Sequence, residues 1–397
     1  MAIKKRSPAS RPKVMEEELL REISRDYLLP LFSGAKIDSN SDSSSASEAT
    51  VAYLNTQTMG FKVNKSDNYR LRFRRDQPFA IKKDPAREIR VLEAFISILS
   101  EMNDELKGPL KDDLLSTFQR RIVARAISER STERQILTVL DQMANWGSKL
   151  YEGSAITSAI GIDPVSSAYS ETTIKDFADT SFGSVLSNGF NTLLTFDARL
   201  NFLGHLVLPI DGASAKACTW MQASLSDWTA SGNGRVVVAL NLRSEILVFR
   251  DGQLLFVRRN GKWHFLTHSP ILGQMVVPRD PKIREAVYQA ALDASFDRKG
   301  ACIGIVGSGQ SDEWKSLVSS RDRIDLGGSV KSKALSEVVN GRKFHDLDRV
   351  LRQELLAIDG ATIIDHRGEI LAIGAILKIL RSGDGGRRTA ATEQLAS

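Results

Sequence analysis

Between positions 235 and 266 the chain carries four apolar runs separated by short turns, two of them Arg250-Asp251-Gly252 and Asn260-Gly261. An Asp-Gly or Asn-Gly pair between apolar alternations is a hairpin signal. Both central residues of a type I′ turn need positive φ, which glycine takes freely and Asp or Asn tolerate. The runs 235–240, 245–249, 253–258 and 263–266 are therefore expected to form an antiparallel meander. Upstream, 155–162 reads as a further strand and 185–200 is mixed. Residues 152–282 are expected to form a β-rich α/β domain.

The period changes before this region. Ile89, Leu92, Phe95, Ile96, Ile98 and Leu99 recur at helical spacing. Two further helices are expected over 111–129 and 133–151, the second with a hydroxyl cap from Ser131 or Thr132. Tyr69-Arg70-Leu71-Arg72-Phe73 alternates like a strand, and 51–151 is expected to be a small, mainly helical unit. Residues 1–50 read as a basic, disordered tail with one amphipathic helix over 15–29. The serine-rich tract 39–47 that follows has too little apolar surface to offset its ordering entropy.

Lys and Arg number 54 against 48 Asp and Glu, a net charge of +6. Part of the excess lies in Lys4, Lys5, Arg6, Arg11 and Lys13, and part in Arg70, Arg72, Arg74 and Arg75. This favours an anionic partner, a nucleotide or a nucleic acid. Cys218 and Cys302 are far apart and form no zinc-ribbon pattern, so a reduced, cytoplasmic setting is expected. No apolar run approaches the ~20 residues of a membrane helix, and the basic N-terminus lacks the apolar stretch of a secretory signal.

The last third, 283–397, alternates both periods. A helix is expected over 283–296, a strand over 301–306, helices over 334–339 and 347–356, and strands over 361–364 and 370–377. The fold class expected is α/β. At Ile358-Asp359-Gly360-Ala361 a helix ends, a glycine turn presents a carboxylate, and a buried strand follows. Such a carboxylate suits a divalent metal on triphosphate oxygens. The triplet alone is weakly diagnostic, since Asp211-Gly212-Ala213 repeats it. Downstream, Gly383-Asp384-Gly385-Gly386-Arg387-Arg388-Thr389-Ala390-Ala391 offers backbone N–H groups and guanidinium groups suited to phosphate.

Taken in order, these parts resemble the diadenylate cyclase domain family, over about 115 residues from Ile283 to Ser397. There an Asp-Gly-Ala turn and two strands precede a Gly-Thr-Arg-His-Arg-Ala-Ala loop. The resemblance implies a mixed-sheet nucleotide domain that condenses two ATP to cyclic di-AMP with Mg²⁺ or Mn²⁺. It implies that Asp359 holds the catalytic metal. Gly360, Ala361, Gly385, Gly386, Arg387, Arg388 and Thr389 would surround the nucleotide, and the backbone near Leu377 would back the adenine. It further implies a homo-oligomer in which two domains face each other. Arg387-Arg388-Thr389 stands where the family has Arg-His-Arg, which opens a second reading: a catalytically silent sensor of ATP or a cyclic dinucleotide. The meander over 245–266 also resembles that of sensor-type relatives.

Other features point to other chemistries. Gly307-Ser308-Gly309 follows a strand, but Asp312 stands where a dinucleotide fingerprint has its third glycine. His264 and His268 are four apart without a helix or a carboxylate between them. Ser308 and Ser329 lack the context of a hydrolytic nucleophile. Trp228, Trp263 and Trp314 are expected in cores or at their edges rather than as base-stacking platforms.

Overall fold

A computed structural model describes residues 17–38, 50–63, 70–79, 87–129, 132–178, 180, 182–210, 217–308, 314–325 and 328–377. The chain is an α/β protein with one four-stranded, one seven-stranded and one three-stranded sheet among the described residues.

The chain begins with α1 (Glu17–Ile23), a π-helical turn (Ser24–Leu28) and a 3-10 turn (Leu29–Leu31). Leu20, Ile23, Leu28, Leu31 and Phe32 of this segment are buried. The amphipathic helix expected over 15–29 appears as these three short turns, and its apolar stripe is buried. Strands β1 (Lys36–Ile37), β2 (Val51–Asn55), β3 (Thr58–Phe61) and β4 (Leu71–Arg74) form an antiparallel sheet in the order β1-β4-β3-β2. The serine-rich tract lies outside the described residues.

Helices α2 (Arg87–Met102), α3 (Lys111–Ser116), α4 (Phe118–Ile127) and α5 (Glu133–Gly147) follow. The single helix expected over 111–129 is interrupted at Thr117. The hydroxyl of Thr132 donates back to the carbonyl of Glu129 instead of capping α5. Edge-to-face rings chain these parts together: Phe61 on Phe95 at 5.5 Å, Phe95 on Phe118 at 5.6 Å, and Phe32 on Phe265 at 6.0 Å. Such contacts add to the burial of the rings themselves. Through Phe265 the core runs on into the middle sheet, so the boundary expected near 151 does not separate two cores.

A short hairpin of β5 (Leu150–Tyr151) and β6 (Ser154–Ala155) leads into β7 (Ser158–Ile162), α6 (Ile174–Ala178), β8 (Thr192–Phe196) and β9 (Phe202–Val207). Helix α7 (Ala223–Ala230) precedes the meander β10 (Val236–Leu240), β11 (Ile246–Arg250), β12 (Gln253–Arg259) and β13 (Lys262–Phe265). The sheet order is β13-β12-β11-β10-β7-β8-β9. Only β7 and β8 pair in parallel within it. Both turns take the expected conformation, with φ of 51° and 74° at Asp251 and Gly252 and of 49° and 78° at Asn260 and Gly261. One face of the sheet packs on the helices and aromatics upstream. The other, with Leu193, Val237, Ala239, Leu247 and Phe249, packs on α7 and on Phe296.

After α8 (Ser269–Gln274) come α9 (Pro281–Asp297), β14 (Cys302–Val306), α10 (Trp314–Leu317), α11 (Val330–Val339), α12 (Arg349–Ala357), β15 (Ala361–Asp365) and β16 (Ile370–Ala375). Asp280 caps α9 by accepting from the N–H of Lys282 at 2.9 Å, with Pro281 in the first turn. The sheet order is β14-β15-β16, parallel then antiparallel.

The basic run near Arg70 is split: Arg74 is exposed and Arg72 half-buried. Arg70 and Arg75 are buried, and Arg75 pairs with buried Glu88. These two cations stabilise the fold and are not free to meet an anionic partner.

Candidate functional site

The Asp359 turn is built by two glycines. Helix α12 ends at Ala357, Ile358 turns extended, and Gly360 takes φ of 114°. A β-carbon on Gly360 would lie 2.5 Å from the carbonyl carbon of Gly374 and 2.8 Å from the nitrogen and oxygen of Ala375. Gly374 itself takes φ of 58°, and a β-carbon there would lie 2.5 Å from Ile358 Cγ2 and 3.0 Å from Asp359 O. Two backbones therefore touch where no side chain fits, and the exposed Asp359 stands on that contact.

The turn is braced from a third element. The Lys331 ammonium on α11 donates to Asp322 Oδ1 at 2.9 Å and to the Gly374 carbonyl at 2.6 Å. The other Asp322 oxygen accepts from the N–H of Ile376 at 3.3 Å. Ala361 is buried and paired with Cys302 on one side and Ala375 on the other. Leu377 is buried too, and a bridge to Val318 occupies that edge of its backbone. Gly385, Gly386, Arg387, Arg388 and Thr389 lie outside the described residues. Asp359, Gly360, Ala361 and Leu377 thus come together at one end of the three-stranded sheet.

A second concave region was not evident from the sequence. It lies between the middle sheet and the pair α9–α12. A cavity of about 780 Å³ there is lined by Phe190, Trp220, Met221, Gln289, Arg349 and Arg352, among others. A smaller one of about 210 Å³ shares Phe190, Trp220 and Met221 with it and reaches Asn241 and Asp297. Neither is lined by Asp359, Gly360, Ala361 or Leu377.

At its floor Arg349 grips Asp293 with Nε to Oδ2 at 2.7 Å and Nη2 to Oδ1 at 3.0 Å. Asp293 also accepts from the N–H of Trp220 at 2.9 Å. Burial pushes the Asp293 carboxyl above the ordinary range, and the Arg349 guanidinium opposes that push. The signal available in the sequence was Arg352: it falls among buried Leu355 and Leu356 on the inward stripe of α12, where a cation is unusual.

The remaining candidates resolve individually. Both ring nitrogens of His268 are engaged, Nδ1 with the Tyr288 hydroxyl at 2.5 Å and Nε2 with the Leu254 carbonyl at 2.7 Å. Ser329 caps α11, accepting from the N–H of Ser332 at 3.0 Å. Burial pushes the Cys218 thiol up to about 12, which leaves it protonated and poorly nucleophilic. Trp228, Trp263 and Trp314 are buried as expected. Gly307 and Ser308 leave the end of β14, and Gly309 lies outside the described residues. Among the described residues no helix is long and apolar enough to cross a membrane. No family model matches the chain, and no curated protein matches it.

Proposed function

We propose that residues 283–397 form a diverged nucleotide domain of the diadenylate cyclase type, binding ATP at the Asp359 turn. The observation that carries this reading is the register of β15 and β16. Ala361 pairs with Ala375, so the exit of β16 lies at the same end of the sheet as Asp359. Leu377, the last described residue, therefore lies at the end of the sheet that carries Asp359, and the glycine-rich basic stretch comes after it in the sequence.

The chemistry of Asp359 is compatible with Mg²⁺ or Mn²⁺ arriving on a triphosphate. Such an ion takes one or two protein carboxylates and fills its remaining positions with phosphate oxygens and water. In this reading Asp359 would hold the ion together with the triphosphate oxygens of the nucleotide. The ion would supply charge neutralisation and lower the pKa of the attacking ribose hydroxyl. The chain's own part is positioning. Gly360 and Gly374 fix the carboxylate, while Gly385, Gly386, Arg387, Arg388 and Thr389 would hold the triphosphate. Condensation of two ATP to cyclic di-AMP, in which each ribose hydroxyl attacks the other nucleotide's α-phosphate and two pyrophosphates leave, needs two such domains face to face, hence a homo-oligomer.

A catalytically silent sensor of ATP or a cyclic dinucleotide is the second reading. The Asp293–Arg349 pair favours it: the pair lies within 283–397, and through it Asp293 accepts from the backbone N–H of Trp220 while Arg349 donates to the Cys218 carbonyl, which ties the domain to the segment before α7. One assay separates the two. Purified protein and the Asp359→Asn variant are incubated with ATP and Mn²⁺, products are read by mass spectrometry, and nucleotide binding is measured by calorimetry. Cyclic di-AMP from the wild type alone supports the enzyme. Binding without product supports the sensor, and neither binding nor product removes both readings.

A further inference from the structure

The cleft between the middle sheet and α12 holds a buried cation, Arg352, that forms no ion pair among the described residues: Asp293 and Asp348 attract it only through space, and the Phe344 ring lies 5.9 Å from its guanidinium carbon. Arg352 is 7 % exposed. Its Nη2 donates to Gln289 Oε1 at 3.3 Å. Its Nε and Nη1 are buried without a hydrogen-bond partner among the described residues. The neighbouring carboxylate, Asp293, is already gripped at two oxygens by Arg349. Asp348, at the start of α12, has a side chain 84 % exposed, and Glu354 is exposed as well. Burial and the adjacent Arg349 together push the Arg352 guanidinium down to about 10. A buried cation left in this state is costly, and proteins normally supply it with an anion.

The facing wall points the same way. The indole N–H of Trp220 is also buried without a partner among the described residues. Phe190, Met221 and Trp220 supply apolar and aromatic surface to the same cavity of about 780 Å³. Such a volume suits a small organic ligand. The unfilled polar groups, two guanidinium nitrogens and one indole nitrogen, are all donors. What fits them is an acceptor-rich ligand carrying negative charge at one end and a flat or apolar body at the other.

We propose that this cleft is a binding site for a small organic anion, a carboxylate or phosphate monoester with an aromatic or apolar body, whose charged end is received by Arg352. The site is separate from the Asp359 turn and does not depend on the nucleotide reading. It does share an element with it. Helix α12 lines the cleft near its N-terminus and runs directly into Ile358 and Asp359.

The test is calorimetric titration of the full chain with phenyl phosphate, benzoate and neutral phenol. Arg352→Met and Trp220→Phe serve as cleft variants. The Arg387→Ala, Arg388→Ala double variant separates the cleft from the C-terminal basic stretch. One anion, phosphate or carboxylate, binds at one site per chain, and phenol binds at least about tenfold more weakly, the loss expected for one charge-assisted contact. Arg352→Met weakens the anion by at least the same factor, while its thermal midpoint holds or rises because an unpaired buried charge has been removed. Trp220→Phe weakens it less. Absence of binding to the wild type at millimolar anion overturns the proposal. So does binding untouched by Arg352→Met, or binding abolished by the double variant. If Arg352→Met unfolds, the cation is structural, and binding that also survives Trp220→Phe overturns the assignment.

Discussion

A β-carbon on Gly360 would lie 2.5 Å from the carbonyl carbon of Gly374, and one on Gly374 would lie 2.5 Å from the Ile358 Cγ2 methyl and 3.0 Å from the Asp359 carbonyl oxygen. Both glycines take positive φ, at 114° and 58°. Sterics and conformation therefore demand glycine twice over. Gly360→Ala and Gly374→Ala are each expected to destabilise by about 1–3 kcal/mol, from overpacking and from a backbone region that side chains disfavour. Urea unfolding checks this. A midpoint unchanged in both variants would mean that the contact is looser than described and that Asp359 is not held by it.

The pair Asp293–Arg349 makes a second prediction. Both side chains are nearly inaccessible, at 0 % and 9 % exposure. Asp293→Ala leaves the guanidinium unpaired and the Trp220 N–H without its acceptor. The expected cost is about 3–5 kcal/mol. The Asp293→Ala, Arg349→Met double variant is expected to recover part of that loss, since neither member of the pair is then left as a lone buried charge. Chemical denaturation of the two single variants and the double decides it, and simple additivity would show that the ion pair is not what couples these residues.

Turn chemistry was the most legible part of the fold, and the meander shows why. Asp251, Gly252, Asn260 and Gly261 signal local geometry that no distant contact has to supply. Helix α7 was not legible, because Ala223, Ser224, Leu225, Ser226, Trp228 and Thr229 are all buried and leave no polar face to set a helical period. Strand β9 is an edge strand with no fully buried residue, so no alternation marks it. At the candidate sites, the Asp359 turn was visible as a local motif. The cleft was not, since Phe190, Trp220 and Arg352 are distant in sequence and meet only through packing of the middle sheet against α12.

The two hairpin glycines differ in a way that can be measured. Gly261 has positive φ and open space around a would-be β-carbon. Gly252 has positive φ, a would-be β-carbon 3.1 Å from Ala230 Cβ, and an N–H donating to Thr229 Oγ1 at 2.9 Å. Gly261→Ala is expected to cost about 1 kcal/mol, from conformation alone. Gly252→Ala is expected to cost more, up to about 3 kcal/mol, because it also presses on α7. Equal losses in thermal unfolding would show that Ala230 yields freely and that α7 is not firmly seated on the sheet.

Asp197, at the bend between β8 and β9, supplies a pH-dependent contribution. Burial alone would raise its carboxyl, but the backbone N–H groups of Asn201, Arg199 and Ala168 and the Asn201 amide outweigh it, leaving the folded value below the usual one of 3.8. The hydrogen bonds run at 2.9, 2.8, 3.3 and 3.2 Å. Because the folded value is depressed, the unfolded chain binds the proton first as pH falls. The stabilisation is therefore full above about pH 5, and it is lost as pH drops through 3.8 toward the folded value. Asp197→Asn keeps the shape but weakens the acceptor, and is expected to cost about 1–3 kcal/mol at neutral pH and less at pH 3. Urea midpoints of both proteins at pH 7 and pH 3 measure it. A difference that stays constant between the two pH values would mean that the carboxylate charge is not what holds the bend.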